Sequence, residues 1–175
     1  MTQAIHILLR GPSGVGKSTL IQRLLAETGR HPGGFLTKKE AVEADGSPPG
    51  YIYPAACPED SRQRSEANRV GRVAQQRRID ARPEVFDTLG CRYLEPSAGT
   101  DILLMDELGL LENRAALFQA TVLACLDGDC PVLAAVKNRD TPFLTAVCTH
   151  PKALVLDVTE TNREELYQQL RTRLT

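Results

Sequence analysis

The sequence predicts an α/β fold, with a mainly parallel sheet, helices on both faces and a β-hairpin insertion. Three observations carry that prediction. A glycine-rich loop at 11–19 lies between an apolar run and an amphipathic segment, nearly uniform apolar runs of strand length alternate with helical patterns, and one such run ends in two adjacent acids.

Ala4 to Leu9 is a short apolar run followed at once by Gly11-Pro12-Ser13-Gly14, which reads as a buried strand feeding a turn. From Lys17 to Thr28, Leu20, Ile21, Leu24 and Leu25 recur at helical spacing, and Gly29 is a natural stop. Gly33 to Val42 and Gly50 to Ala55 flank Asp45-Gly46 and Pro48-Pro49, the pattern of a hairpin turning over Glu43 to Pro49. Composition then changes. Arg62, Arg64, Arg69, Arg72, Arg77, Arg78 and Arg82 appear with few large apolar residues, which predicts a mobile surface segment over about 58–82.

Val85, Phe86, Leu89 and Tyr93 give Pro83 to Leu94 one apolar helical face, and Pro83 suits the first helical position. A strand over Asp101 to Asp106, a helix over Arg114 to Leu126, strands over Pro131 to Val136 and Ala153 to Val158, and a helix over Glu164 to Leu174 complete the pattern.

A chain of 175 residues fits one domain, here 1–175 with a single core. Its net charge of -1 provides no global field to draw nucleic acid or an acidic membrane, so any anion site must be local. Cys57, Cys91, Cys125, Cys130 and Cys148 form no CxxC pair and no zinc spacing, which predicts reduced, mostly buried thiols. The apolar stretch Ile5 to Leu9 falls far short of the roughly 20 residues of a membrane span, so no membrane association and a cytoplasmic location are expected.

Gly11-Pro12-Ser13-Gly14-Val15-Gly16-Lys17-Ser18, with Thr19 after it, fits the phosphate-cradling P-loop pattern in its required context between strand and helix, which makes the predicted fold one of the P-loop NTPase class. Glycines at 11, 14 and 16 let backbone N–H groups turn inward, where they and the positive end of the helix converge on a phosphate. Lys17 supplies a charge for the outer phosphates, and Ser18 offers a hydroxyl to Mg²⁺, which prefers oxygen ligands. The expected partner is therefore a nucleoside triphosphate, whether ATP, GTP or another.

Asp106 and Glu107 end an apolar strand, and in an open α/β sheet the carboxyl ends of the strands face the ligand crevice. Asp106 is the expected Mg²⁺ anchor and Glu107 the expected general base for a water at the γ-phosphate.

With both motifs in hand, the chain resembles the RecA-like nucleoside-triphosphatase family first described from thermophiles. Gly34-Phe35-Leu36-Thr37 looks like the family's glycine-aromatic-x-threonine strand, and Gly50-Tyr51-Ile52 like its returning hairpin strand. Met105-Asp106-Glu107-Leu108-Gly109 with the later Glu112 is similar to its extended acidic motif, and Thr159 with Asn162-Arg163 to its terminal signature. The resemblance implies an additional-strand catalytic-glutamate fold, with the strand at Pro131 to Val136 between the P-loop strand and the acidic strand, and NTP hydrolysis of broad base range with Mg²⁺. Pro48, Pro49, Leu111 and Asn113 depart from the family pattern.

Lys137 and Asn138 end a strand where a sensor of the γ-phosphate would sit. Asn162 and Arg163 are candidates to border the nucleotide's base, although Thr161 or Asn162 also suits a helix cap. The arginine-rich stretch reads as solvated surface or as a lid carrying a charge-stabilising arginine. It lacks the interleaved aromatics of single-strand binders, so nucleic acid is not expected, and no protein partner is indicated. His6 reads as a satisfied core histidine, and His31 and His150 lie among turn residues. Three functions fit: an NTP phosphohydrolase, a nucleoside or nucleotide kinase, and an NTP-gated interaction module.

Overall fold

A computed structural model of the chain describes residues 6–40, 48–73 and 79–174. Eight strands, β1 (His6–Gly11), β2 (Pro32–Lys39), β3 (Gly50–Pro54), β4 (Arg69–Val73), β5 (Ile79–Ala81), β6 (Ile102–Leu108), β7 (Val132–Lys137) and β8 (Ala153–Asp157), form one sheet in the order β5-β4-β3-β2-β6-β7-β1-β8. From β2 through β6, β7 and β1 to β8 neighbouring strands are parallel, and β3, β4 and β5 extend the sheet antiparallel. β7 lies between β1 and β6, the order implied by the resemblance.

The central strands are apolar on both sides because both faces are covered. Alternate residues of β1 enter different cores. Leu8 joins Phe35, Met105, Phe86, Phe118 and Leu144 on one face, while Ile7 and Leu9 join Leu20, Leu24, Leu133 and Tyr167 on the other. The first face is covered by α2 (Pro83–Val85), a wide helical turn over Phe86–Gly90, α3 (Cys91–Leu94), α4 (Ala116–Asp127) and α5 (Pro142–Cys148). The second is covered by α1 (Lys17–Thr28) and α6 (Arg163–Leu174). Close packing at the sheet centre needs Gly34, whose φ is +88° and whose added Cβ would collide with the Leu104 carbonyl oxygen.

Within the segment read as mobile, Arg69–Val73 and Ile79–Ala81 form strands at the sheet edge; residues 74–78 of it, like 43–47 of the expected hairpin turn, lie outside the described residues. Val70 is fully buried, and the buried Asn68 amide donates to the Ile52 and Gln63 carbonyls at 3.1 Å each. The charges stay at the surface, where Arg82 pairs with Glu66 at 2.8 Å and Arg72 with Asp80 at 3.9 Å. Charged edge strands of this kind also resist pairing with other chains. Two further expectations change. α5 was not anticipated, though Thr141 accepts from Leu144 N at 3.1 Å as its cap and Pro142 opens it. The five cysteines are free thiols, each half-buried rather than mostly buried.

Candidate active site

Residues 11–18 connect β1 to α1 around a cavity of about 350 Å³. Ser13, Gly14, Gly16, Lys17, Ser18 and Thr19 line one side of it. Gly16 caps α1 with φ +104°, a left-handed conformation that suits glycine, and α1 has no acid in its first turn to compete for its N–H groups. Val15 turns the other way and is buried in the apolar core beneath. The Lys17 side chain is buried, and its ammonium donates to the carbonyls of Gly11 and Pro12 at 2.8 Å each.

β6 carries the acids to the opposite wall. Asp106 pairs in register with Leu36 of β2 and Ala135 of β7, and Glu107 stands at a register shift beside β7, with a cis peptide between the two acids. Ser18 Oγ donates to Asp106 Oδ1 at 2.8 Å. Burial pushes the Asp106 carboxyl above its ordinary range, against the Ser18 hydrogen bond and the nearby Lys38 and Lys17 charges, which pull it back. Thr37 ties the strand tip in place: its hydroxyl donates to the Asp106 carbonyl at 3.2 Å and accepts from Glu107 N at 3.4 Å.

Glu107 is held between two cations. Lys17 Nζ lies 3.5 Å from Oε2 and Lys137 Nζ 3.2 Å from Oε1. Lys137 thus lines the cavity beside the glycine loop, whereas Asn138 is exposed and lines a different groove. The stem of Lys137 crosses Gly109, where an added Cβ would come within 2.9 Å of Lys137 Cδ. Beneath that turn Glu112 is buried, accepts a hydrogen bond from Gly109 N, and has its carboxyl pushed up to about 7 by desolvation. Lys38 and Glu112 also line the cavity. In the sequence Glu112 stands out only through family likeness and Lys38 not at all; an acid within an apolar stretch and a lysine at a strand end are the only local signals.

The loop after β8 comes close to the glycine loop. Asn162 closes this loop just before α6: Oδ1 accepts from Thr159 N at 2.8 Å, and Nδ2 donates to the Asp157 carbonyl at 2.8 Å. The Arg163 guanidinium lies over Gly16, where an added Cβ would meet Nη1 at 2.8 Å. Arg163 and Thr19, with Thr161 and Arg23, line a cavity of about 270 Å³ beside the glycine loop.

The model of the family described as NTPase matches residues 6–171. A nucleoside-triphosphatase THEP1 of Thermotoga sp. (strain RQ2) is 27% identical over 168 residues, covering 95% of this chain and 93% of its own. The protein of that name from Methanocaldococcus jannaschii is 26% identical over 179 residues, with 97% of each chain covered. Among solved structures, THEP1 from Aquifex aeolicus aligns with a TM-score of 0.74 at 20% identity over 97% of this chain and 98% of its own. A human cancer-related nucleoside triphosphatase aligns with a TM-score of 0.66 at 23% identity over 98% of both chains.

Proposed function

We propose, since this chain belongs to the NTPase family, that it hydrolyses nucleoside triphosphates to the diphosphate and inorganic phosphate, with Glu107 as the base. The observation that carries this reading is the Glu107 carboxylate, clamped by Lys137 and Lys17 at the mouth of the glycine loop. Backbone N–H groups of residues 13–19 and the α1 N-terminus receive the phosphates, and Lys17 neutralises the outer ones. A water oxygen attacks the γ-phosphorus, its proton passes to Glu107, and the bond to the bridging β-γ oxygen breaks. Lys137 stands where negative charge accumulates on the γ-phosphoryl oxygens.

Ser18 and Asp106 are the residues that would hold Mg²⁺. A hydroxyl and a carboxylate 2.8 Å apart fit its preference for oxygen ligands, the remainder coming from substrate and water. Among the described residues no group of three or more His, Cys, Asp or Glu forms a closed metal site, which agrees with such a sparse protein contribution. When bound, the ion supplies charge neutralisation across the β- and γ-phosphates.

The contacts available to the phosphates come from backbone and lysines and would be the same for every nucleotide, which favours a broad base range. Arg163, over Gly16, and Asn162, which braces its loop, border the base side. Membership of the NTPase family, with Glu107 beside the glycine loop, favours hydrolysis over the kinase and the interaction module that the sequence also allows. As for location, no helix among the described residues is long and apolar enough to cross a membrane.

Phosphate release from the four ribonucleoside triphosphates with Mg²⁺, for the wild type and Lys17→Ala, tests this reading. Turnover of several triphosphates that vanishes in the variant is expected. Undiminished release by Lys17→Ala would place the chemistry elsewhere.

A further inference from the structure

The outer wall of the phosphate cavity is also the wall of a second groove. Lys38 and Lys39, at the end of β2, line both the cavity and an adjoining groove of about 300 Å³ bounded by Glu40, Glu59, Arg62 and Arg64. Four cations there face two carboxylates. Glu40 is already engaged: Oε1 accepts from the Tyr53 hydroxyl at 3.4 Å, and Oε2 lies 3.5 Å from Arg64 Nη1. Neither Lys38 nor Lys39 has an ion-pair partner among the described residues. Arg62 is anchored, with Nε donating to the Cys57 carbonyl at 3.3 Å and its guanidinium carbon 5.8 Å from the Tyr53 ring centre. That anchoring uses one of the five donors of the guanidinium.

Concave surfaces with an excess of one charge sign concentrate the opposite ion, and planar guanidinium groups suit phosphate oxygens. We infer that this groove is a second anion site, taking a phosphate dianion next to the one held by the glycine loop. The inference rests on the reading of the glycine loop as the nucleotide site and adds a neighbour to it. Two sources share this chemistry. One is the inorganic phosphate released by hydrolysis, for which Lys38 and Lys39 form the way out. The other is the phosphate group of a second substrate, a phosphate monoester bearing a free hydroxyl. In that case the hydroxyl oxygen bonds to the γ-phosphorus, the bond to the bridging β-γ oxygen breaks, the hydroxyl proton passes to Glu107, and the nucleoside diphosphate leaves.

The test begins with protein saturated with ADP and Mg²⁺, so that the glycine loop is filled and its affinity measured. Inorganic phosphate and glycerol phosphate are then titrated separately by calorimetry, into the wild type, Arg62→Gln and Arg64→Gln, two groove residues outside the phosphate cavity. Each variant is expected to weaken anion binding roughly tenfold, the loss of one charge-assisted contact, while ADP affinity holds. With ATP present, phosphorylated glycerol phosphate identifies the second-substrate source. Inhibition of turnover by inorganic phosphate, relieved in both variants, identifies the product source. ADP binding with anion affinity absent, or indifferent to both substitutions, overturns the groove alone. Failure of ADP to bind the wild type overturns the glycine-loop reading and the groove with it.

Discussion

Lys137, the last residue of β7, reaches across to Glu107 on β6, with its ammonium 3.2 Å from Oε1. The contact spans neighbouring parallel strands whose register shifts between Asp106 and Leu108, so the bulge and the lysine together aim the carboxylate into the cavity.

Glu107→Gln keeps the size of the side chain and removes its capacity to accept a proton. The expected result is a fall in kcat of about 10² to 10⁴, with triphosphate affinity within a few-fold of wild type. Lys137→Met should lower kcat less and weaken affinity more, since that lysine acts on charge. Phosphate release together with equilibrium nucleotide binding separates these effects, and a Glu107→Gln protein with full turnover would remove the base from the mechanism.

Asp106→Asn should raise the Mg²⁺ concentration needed for half-maximal turnover by about tenfold or more, because the hydroxyl of Ser18 remains but the anionic oxygen is lost. The same substitution removes a buried carboxyl whose ionisation is opposed by desolvation, so the fold should not suffer. Magnesium titration of activity and thermal unfolding read the two effects. A half-saturating Mg²⁺ concentration equal to wild type would take Asp106 out of the metal site.

The glycine loop was legible because its chemistry is local: the donors, the lysine and the hydroxyl are consecutive residues on one turn. Uniformly apolar strands likewise announced a sheet covered on both faces. What the sequence hid depends on pairing across the sheet. Thr37 and Lys38 gain their places from the alignment of β2 beside β6, which no spacing encodes. The arginines of β4 masked a strand that the buried Val70 and the Asn68 amide anchor. Glu112 looked like a motif letter; its burial comes from the turn that brings Gly109 N onto its carboxylate.

Glu112 should make the fold less stable as pH rises. Its folded-state pKa, about 7, lies above the ordinary value of 4.5, so between these values the native state binds more protons than the unfolded chain. The favourable contribution is complete below pH 4.5 and is lost as pH climbs through 7, a change of up to a few kcal/mol. Glu112→Gln keeps an oxygen for Gly109 N and cannot ionise. Urea unfolding at pH 5 and pH 8 should show the wild type losing stability relative to the variant at the higher pH. Parallel pH dependences would show that the buried carboxyl does not titrate.

His6 should act in the opposite direction. Its ring is fully buried, with Nε2 donating to the Leu126 carbonyl at 2.8 Å and Nδ1 accepting from Val132 N at 3.1 Å. Only the neutral ring with its proton on Nε2 meets both partners; adding a proton to Nδ1 turns two N–H groups on each other. Burial is the main force that lowers its pKa below 6.5, assisted by the charges of His150 and Lys152 and opposed by the Leu126 hydrogen bond and by Asp129. Below pH 6.5 the unfolded chain therefore binds the proton more readily than the native state. The stabilising contribution is present above that pH and is lost as pH falls through the depressed folded-state value. A heteronuclear NMR titration should place the His6 midpoint below 6.5, and unfolding free energies between pH 7 and pH 5 should fall more steeply for the wild type than for His6→Gln. A midpoint above 6.5 would mean that the ring welcomes the second proton, and the hydrogen bond from Val132 N to Nδ1 would have to be abandoned.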